Sequence, residues 1–544
     1  MTKARTISGL WIVLLSTGLL SQTPRLAPRP SPSRPPAWVE GEVLVKFRPS
    51  SSPARNLEFI RGLGARPAGR LPRREVYRLN LRPGQTVEEA IRFLRDCPDV
   101  LYAEPNPVLR LASVEPRDPL FVYQWGLHNV GQSIGPLEGG YPRGKPGADV
   151  KAAEAWKIDC GGEIAVAVID TGVQLHHPDL WRKIGVWGPD YVELDDEPDD
   201  AHGHGTLVAG VIGAETDNGL GTSGISWNAR ILPIRAFNED AQSDVFKVSE
   251  AIIWAADNGA RVINMSFGGS DIEHNSTLKS AVEYARMDKD IVLVGAAGNE
   301  GIDDVWYPSA YQDLVLSVAA TDYNDVYQTL ATTGGEWGSN FGPEVDLAAP
   351  GVLILSTWPI DQPLQNRPGW EGYAYGSKTS LSTAFVSGAA ALLRSHRPDL
   401  KAGQVEAVLF QSADDLNASS FAGWDPYLGW GRVNLQKALH LLEPLQAPQN
   451  VRGYGAPATG LRPRGWVVLT WEDNPANGLR SLAKYRVYLR DGEVRKLLAE
   501  VDPDVHFYLD LGAAAGKTNT YEIVPVDEIL LEGRLASVVV PPPK

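Results

Sequence analysis

Four residues of this chain have types and settings suited to acyl transfer. Asp170 ends the apolar run within "AVAVIDTGV", His204 begins "HGTLVAGVIGA", Asn299 follows "VGAAG", and Ser380 stands at the mouth of the apolar helical run "KTSLSTAFVSGAAALL". Acyl transfer needs a nucleophile, a base to take its proton, an acid to orient that base and donors for the oxyanion. A serine, a histidine, an aspartate and an amide supply that set. Each has a plainer reading when taken alone. A serine at a helix start caps the helix, and an aspartate at a strand end turns the chain. His202 is a rival base, and Asp199, His202 and His204 could hold a metal at the expense of that base.

The elements around these residues must bring them together. From about residue 120 to 443, short Val/Ile-rich runs ("EIAVAVID", "RILPIRAF", "RVINMSF", "DIVLVGAAGN", "LVLSVAAT") alternate with helical runs ("TLVAGVIGA", "DVFKVSEAIIWAADNG", "TLKSAVEYARMD"). Such alternation predicts an α/β fold, a doubly wound, mostly parallel sheet covered on both faces. Ligands of these sheets bind beyond the carboxyl ends of the strands. Asp170, Ser266 and Asn299 each fall at or just after such an end.

The flanking segments differ in character. Residues 38–112 predict a small α+β unit, with "EVLVKF" and "VLYAEPN" as strands and "TVEEAIRFLRD" as an amphipathic helix. Residues 447–544 carry short alternating runs ("WVVLTWED", "AKYRVYLRD", "HFYLDLG", "TYEIVPVDE", "LASVVV") and predict a β-sandwich of about seven strands. Lys3 and Arg5 precede the apolar run Ile7–Leu20, which reads as an export signal over residues 1–23, with an uncleaved anchor as the alternative. Residues 24–37, rich in Pro, Ser and Arg, read as a spacer.

Composition limits the partners. The net charge of the 544 residues is −15. Residues 38–112 carry a net +4, and everything after them −24. An acidic body argues against nucleic acid and suits an extracellular protein that binds hard cations. The two cysteines, Cys97 and Cys160, fall in different predicted domains and form no metal-ligand spacing.

In combination and in order, "VIDTGV…HHPDL", "GHGTLVAG", "NMSFGG", "AAGNEG" and "LAAPG" resemble the subtilisin-like serine proteases, or subtilases, over about residues 38–443. Their chain order of Asp, His and Ser is that of subtilisin. The resemblance implies a secreted, monomeric serine endopeptidase with Asp170 as orienting acid, His204 as base, Ser380 as nucleophile and Asn299 as oxyanion donor. It implies that residues 38–112 are an inhibitory propeptide of the inhibitor-I9 kind, with residues 113–443 catalytic. Ser266, Phe267, Gly268 and Gly269, with Ala296, Ala297 and Gly298, would wall the substrate site. Those small and aliphatic linings suggest apolar or aromatic side chains at the cleaved position. "WYP" at 306–308 suggests a cis bond before Pro308. Asp118, Asp179 and Asn218, with the carbonyls of Glu215, Leu220 and Thr222, fall where related subtilases place a tight Ca2+ site. Asp190, Glu193, Asp195 and Asp199 resemble a weaker one. Residues 447–544 resemble a fibronectin type III domain, through Trp471 and Tyr521.

The chain departs from the family around its nucleophile. Where the pattern is G-T-S-M-A-T-P-H, this chain reads "KTSLSTAF". Lysine at 378 carries a cost if that backbone needs φ > 0. A non-catalytic binding protein on a subtilase shell is the reading that Lys378 favours.

Overall fold

The computed structural model describes residues 38–542 apart from 72–75, 83, 108–114, 136–139, 271, 273, 363–369, 457–465, 478–481 and 514–516. The export signal and spacer read in residues 1–37 lie outside the described residues. The chain forms two compact units, residues 1–113 and 114–544.

In the first unit, β1 (Trp38–Phe47), β2 (Arg66–Leu71), β3 (Val76–Asn80) and β4 (Val100–Pro107) form an antiparallel sheet in the order β2-β3-β1-β4. Helices α1 (Pro53–Gly62) and α2 (Val87–Arg95) complete it. Helix α2 is set by its sequence. Thr86 and Glu89 form a reciprocal capping box, and Val87, Ala90, Ile91 and Leu94 bury one face at helical spacing.

The first α-helix of the second unit is the single turn α3 (Ala152–Ala155). Strands β5 (Ile164–Asp170), β6 (Ala229–Arg235), β7 (Val262–Met265), β8 (Val292–Ala296), β9 (Leu316–Thr321) and β10 (Leu347–Pro350) then form a parallel sheet in the order β10-β9-β8-β7-β5-β6. The strands are buried on both faces, so their side chains alternate between two cores. Val166 and Val168 face one with Val262, Val292 and Val294, whereas Ala167 and Ile169 face the other with Ile263 and Leu293. Helices α4 (His204–Gly213), α7 (Thr379–His396), α8 (Ala402–Ser412) and α9 (Leu435–Leu441) serve the first core. Helices α5 (Val245–Asp257) and α6 (Ser276–Glu283) serve the second. A two-stranded ribbon, β11 (Ile354–Thr357) with β12 (Tyr373–Gly376), leads into α7.

Helix α7 is buried nearly all round, from Thr379 to Arg394, as befits a central helix. Its hydroxyls are satisfied inside the core: Ser382 Oγ donates to the Ala349 carbonyl at 3.0 Å and Ser387 Oγ to Asn264 Oδ1 at 2.9 Å.

The C-terminal part is all antiparallel. One sheet holds β13 (Gln449–Ala456), β14 (Trp466–Glu472) and β17 (Phe507–Asp510). The other holds β15 (Leu482–Asp491), β16 (Val494–Val501), β18 (Asn519–Asp527) and β19 (Ala536–Val540). Val467, Leu469 and Trp471 from one sheet meet Tyr485, Val487, Tyr521 and Ile523 from the other. The segment between β18 and β19 buries Ile529 and Leu531 in the same cluster as Leu400, Val405, Leu409 and Leu439 of the α/β part. Gln404 Nε2 donates to the Ile529 carbonyl at 3.1 Å, and the Arg534 N–H to the Leu445 carbonyl at 2.7 Å.

Candidate active site

Strand β5 lies between β6 and β7, so successive connections leave it in opposite directions. The crevice beyond its carboxyl end is where such a sheet receives a ligand. Asp170 is the last residue of β5 and is 3% exposed. Its Oδ1 lies 2.7 Å from His204 Nδ1, at the first turn of α4. A carboxylate only accepts, so the shared hydrogen sits on Nδ1 and the lone pair is left on Nε2. Burial pushes the His204 imidazole down, but the Asp170 carboxylate more than offsets this and holds it above its ordinary range; the Lys378 ammonium pulls the other way.

One glycine and one further aspartate allow this pairing. A Cβ at Gly205 would overlap the Gly172 carbonyl and come 3.0 Å from Asp170 Cβ, so only glycine lets α4 approach β5 this closely. Asp200 accepts from the N–H groups of His202, Gly203 and Thr206 and from the hydroxyls of Thr171 and Thr206. Thr171 Oγ1 in turn accepts from the Gly205 N–H. Asp200 thus ties the end of β5 to the start of α4. Sequence reasoning missed it, although an acid just before a helical run is a capping signal. The rivalry between the two histidines is resolved by contact. Asp170 pairs with His204, while burial pushes His202 down, and no group of three metal-ligating side chains occurs among the described residues.

Ser380 lies in the first turn of α7 and is 7% exposed. Its Oγ donates to the Ser266 carbonyl at 3.3 Å, and Ser266 Oγ donates to the Ser380 carbonyl at 2.9 Å. The nucleophile candidate is thereby set against the chain that follows β7. Asn299 Oδ1 accepts from both Thr379 N and Thr379 Oγ1 at 3.0 Å. The Thr379 N–H can only donate, so the amide oxygen faces it and the NH2 is turned to the other side. Asn340, fully buried, organises the loop beyond Asn299. It accepts from the N–H groups of Glu300 and Gly301 and donates to the Asp304 carbonyl. Its distance in sequence hid it.

The chain reaches Ser380 through Lys378, whose φ is 142° and ψ 171°. That region is essentially confined to glycine and costs roughly 1–3 kcal/mol for other residues. The backbone is held there by the Lys378 N–H to the Gly351 carbonyl at 2.7 Å, and by Leu381 N to the Lys378 carbonyl at 3.1 Å. Lys378→Gly should therefore raise the melting temperature, while kcat stays within about tenfold of the parent. The acid limb of the pH profile should move up as the ammonium is lost. A gain of many orders of magnitude would mean that the lysine cripples the site.

The segments after β7 and β8, expected to wall a substrate site, are joined to each other by hydrogen bonds through residues 306–307. Gly269 and Tyr307 exchange both backbone hydrogen bonds, at 3.0 and 3.1 Å. The Trp306 N–H donates to the Ala297 carbonyl at 2.9 Å. The Tyr307–Pro308 peptide is cis. Segment 306–307 therefore links the two walls.

Of the two acidic clusters, the structure gathers one. Asp118 and Asp179 are both buried, and burial pushes Asp118 up and Asp179 up to about 6. Asp118 accepts from Asp217 N, Gly219 N and Ser223 Oγ. Asp179 accepts from Thr222 N, Tyr373 OH and Asn218 Nδ2. Asn218 thus turns its nitrogen towards Asp179, where a shared cation would require its oxygen. The donor set is otherwise hard oxygen from two acids and one glycine-rich loop, which fits calcium. The acids of the second cluster have partners within the protein. Asp190 and Glu193 both bind Arg235 at 2.9 Å, while Asp195 Oδ1 accepts from Glu197 N and Asp199 Oδ1 from Leu175 N. The acids are spread among separate partners, and the guanidinium supplies the positive charge.

Residues 161–431 match the model of the subtilase family, and residues 29–106 that of the fervidolysin N-terminal prodomain. The thermophilic serine proteinase of Bacillus sp. (strain AK1) is 35% identical over 406 residues, 74% of this chain and 88% of that protein. Thermitase of Thermoactinomyces vulgaris is 38% identical over 290 residues, 53% of this chain and 93% of its own. Fervidolysin of Fervidobacterium pennivorans is 32% identical over 435 residues, 75% of this chain and 60% of its own. With relatives this similar aligned across most of their own length, the chain belongs to the subtilase family and is a subtilisin-like serine endopeptidase.

Proposed function

We propose that the chain is a secreted, self-processing proenzyme in which Ser380, His204 and Asp170 hydrolyse peptide bonds and Asn299 stabilises the oxyanion. The observation that carries this is the 2.7 Å contact of His204 Nδ1 with Asp170, which leaves Nε2 free to act as a base. Ser380 Oγ rotates from the Ser266 carbonyl to His204, gives up its proton to Nε2 and attacks the substrate carbonyl carbon. The oxyanion receives the Asn299 NH2 and the Ser380 N–H, at the positive end of α7. The C–N bond then breaks as His204 returns the proton to the leaving amine. Water, deprotonated by the same base, hydrolyses the ester.

The segments have parallel roles in this proposal. Residues 1–23 are an export signal, 24–37 a linker, 38–112 an inhibitory propeptide, 113–443 the catalytic domain and 447–544 a fibronectin type III-like sandwich. The prodomain match supports zymogen synthesis, the name of a 31% identical relative, the halolysin-like extracellular serine protease Nep of Natrialba magadii, supports export, and no helix among the described residues is long and apolar enough to cross a membrane. The +4 propeptide and the −24 remainder are of opposite charge, which favours their association. Mass spectrometry of the protein recovered from medium tests this. Two new N-termini are expected, near residue 23 and between about Leu109 and Arg117, with the second absent in Ser380→Ala expressed alone. Maturation of that variant at the usual site would assign the cut to another protease.

Asp118, Asp179 and Asn218, with the carbonyls of Glu215, Leu220 and Thr222, would hold a calcium ion that braces the loop between α4 and β6. Binding only the folded state adds about 2.7 kcal/mol at a hundredfold excess over Kd. Excess EGTA should lower the melting temperature by several degrees and speed autolysis. Asp179→Ala with Asn218→Ala should abolish most of that difference. A melting temperature indifferent to EGTA would refute the site.

A further inference from the structure

The two walls of the substrate site are separated by a gap that a large side chain occupies. A carbon built as Cβ on Gly268 would lie 2.9 Å from Trp306 Cβ and 3.5 Å from its Cε3. A carbon built on Gly298, on the opposite wall, would lie 3.1 Å from Trp306 Cδ1. Cε3 and Cδ1 lie either side of the ring carbon that bears Cβ, so the root of the indole sits between the two walls. It is held there at both ends. Its backbone N–H donates to Ala297, and its indole Nε1–H donates to Glu300 Oε2 at 3.3 Å.

If Ser380 is the nucleophile and Asn299 the oxyanion donor, the side chain on the acyl side of the scissile bond enters between these walls. Ser380 Oγ touches the start of one wall, at Ser266, and Asn299 ends the other. We propose that Trp306 is the floor of that pocket and restricts the acyl-side residue to glycine, alanine or serine. This inference rests on the catalytic roles proposed above, and it reverses the apolar or aromatic preference suggested by the small wall residues alone. Trp306 takes up space beside Gly268 and Gly298, which are also hemmed in by the Tyr307 carbonyl and the Asn340 amide.

Peptide nitroanilides that differ only at the acyl-side residue, alanine or phenylalanine, test the proposal on the mature enzyme. A fluorophosphonate probe labels the reactive serine independently of that residue. The expected result is a kcat/KM for alanine at least about tenfold above that for phenylalanine, since one methylene too many already costs roughly tenfold or more. Trp306→Gly should raise the phenylalanine kcat/KM by about tenfold or more and invert the ratio, with fluorophosphonate labelling showing that the variant's serine is still reactive. Trp306→Val, which keeps an apolar side chain on both walls, should fall between, and serves where the glycine variant does not fold. Efficient cleavage after phenylalanine by the parent enzyme, or an unchanged ratio in the variants with labelling intact, would overturn the pocket floor alone. Absence of labelling in the parent would overturn the serine mechanism and the pocket together.

Discussion

Ser380→Ala should lower kcat by about 10⁶-fold, a magnitude measured in subtilisin, of the same family, and carried over rather than derived. His204→Ala should do the same, and the double variant should be no worse, because nucleophile and base act as one unit. Residual hydrolysis above the rate in water would come from the oxyanion donors and substrate positioning. In the parent enzyme, kcat/KM should fall as pH drops through the His204 pKa. Asp170 raises that pKa, so the acid limb should lie above the ordinary ~6.5 of histidine. Assay of a succinyl-peptide nitroanilide across pH reads both effects. Wild-type turnover in Ser380→Ala, or an acid limb unmoved by Asp170→Asn, would defeat the assignment.

Asn299→Ala should lower kcat by about 10²–10³ with little change in KM, a range that again comes from subtilisin. The donor is needed only when the carbonyl oxygen becomes an oxyanion, so the loss falls on the transition state. The geometry adds a sharper expectation. Thr379 holds the amide through its oxygen, and a carboxylate would satisfy Thr379 equally well. Asn299→Asp should therefore keep the fold but direct a negative oxygen at the oxyanion, and lose at least as much as the alanine variant. Near-normal kcat in Asn299→Asp would remove Asn299 from the mechanism.

The sheet and its strand ends were legible because parallel strands buried on both faces make dense apolar runs, and a polar residue closing such a run stands out. Asp170, Ser266 and Asn299 were found in this way. Strands β2 and β16 were not, because their side chains are mostly exposed and leave no alternation to read. The pairing of the acidic loop around Asp190 with Arg235 is not legible in the sequence, because Arg235 is distant along the chain and reaches the loop only when β6 is in place. Asn340 and Trp306 belong to the same class, since what they organise lies in other segments. Lys378 gave a conditional signal, and only the backbone angle gave it a sign.

The join between the α/β part and the sandwich bears on how this enzyme could be shortened. Sequence marks a border near residue 446, yet Ile529 and Leu531 come from far beyond it and seal apolar surface on the proteolytic side. A chain stopped at that border would keep Asp170, His204, Asn299 and Ser380 and lose Ile529 and Leu531 from the apolar cluster they share with the α/β part. Its defect would be seen in shelf life and clumping rather than in turnover. The same packing, with the hydrogen bonds from Gln404 and Arg534, ties the sandwich to the α/β part.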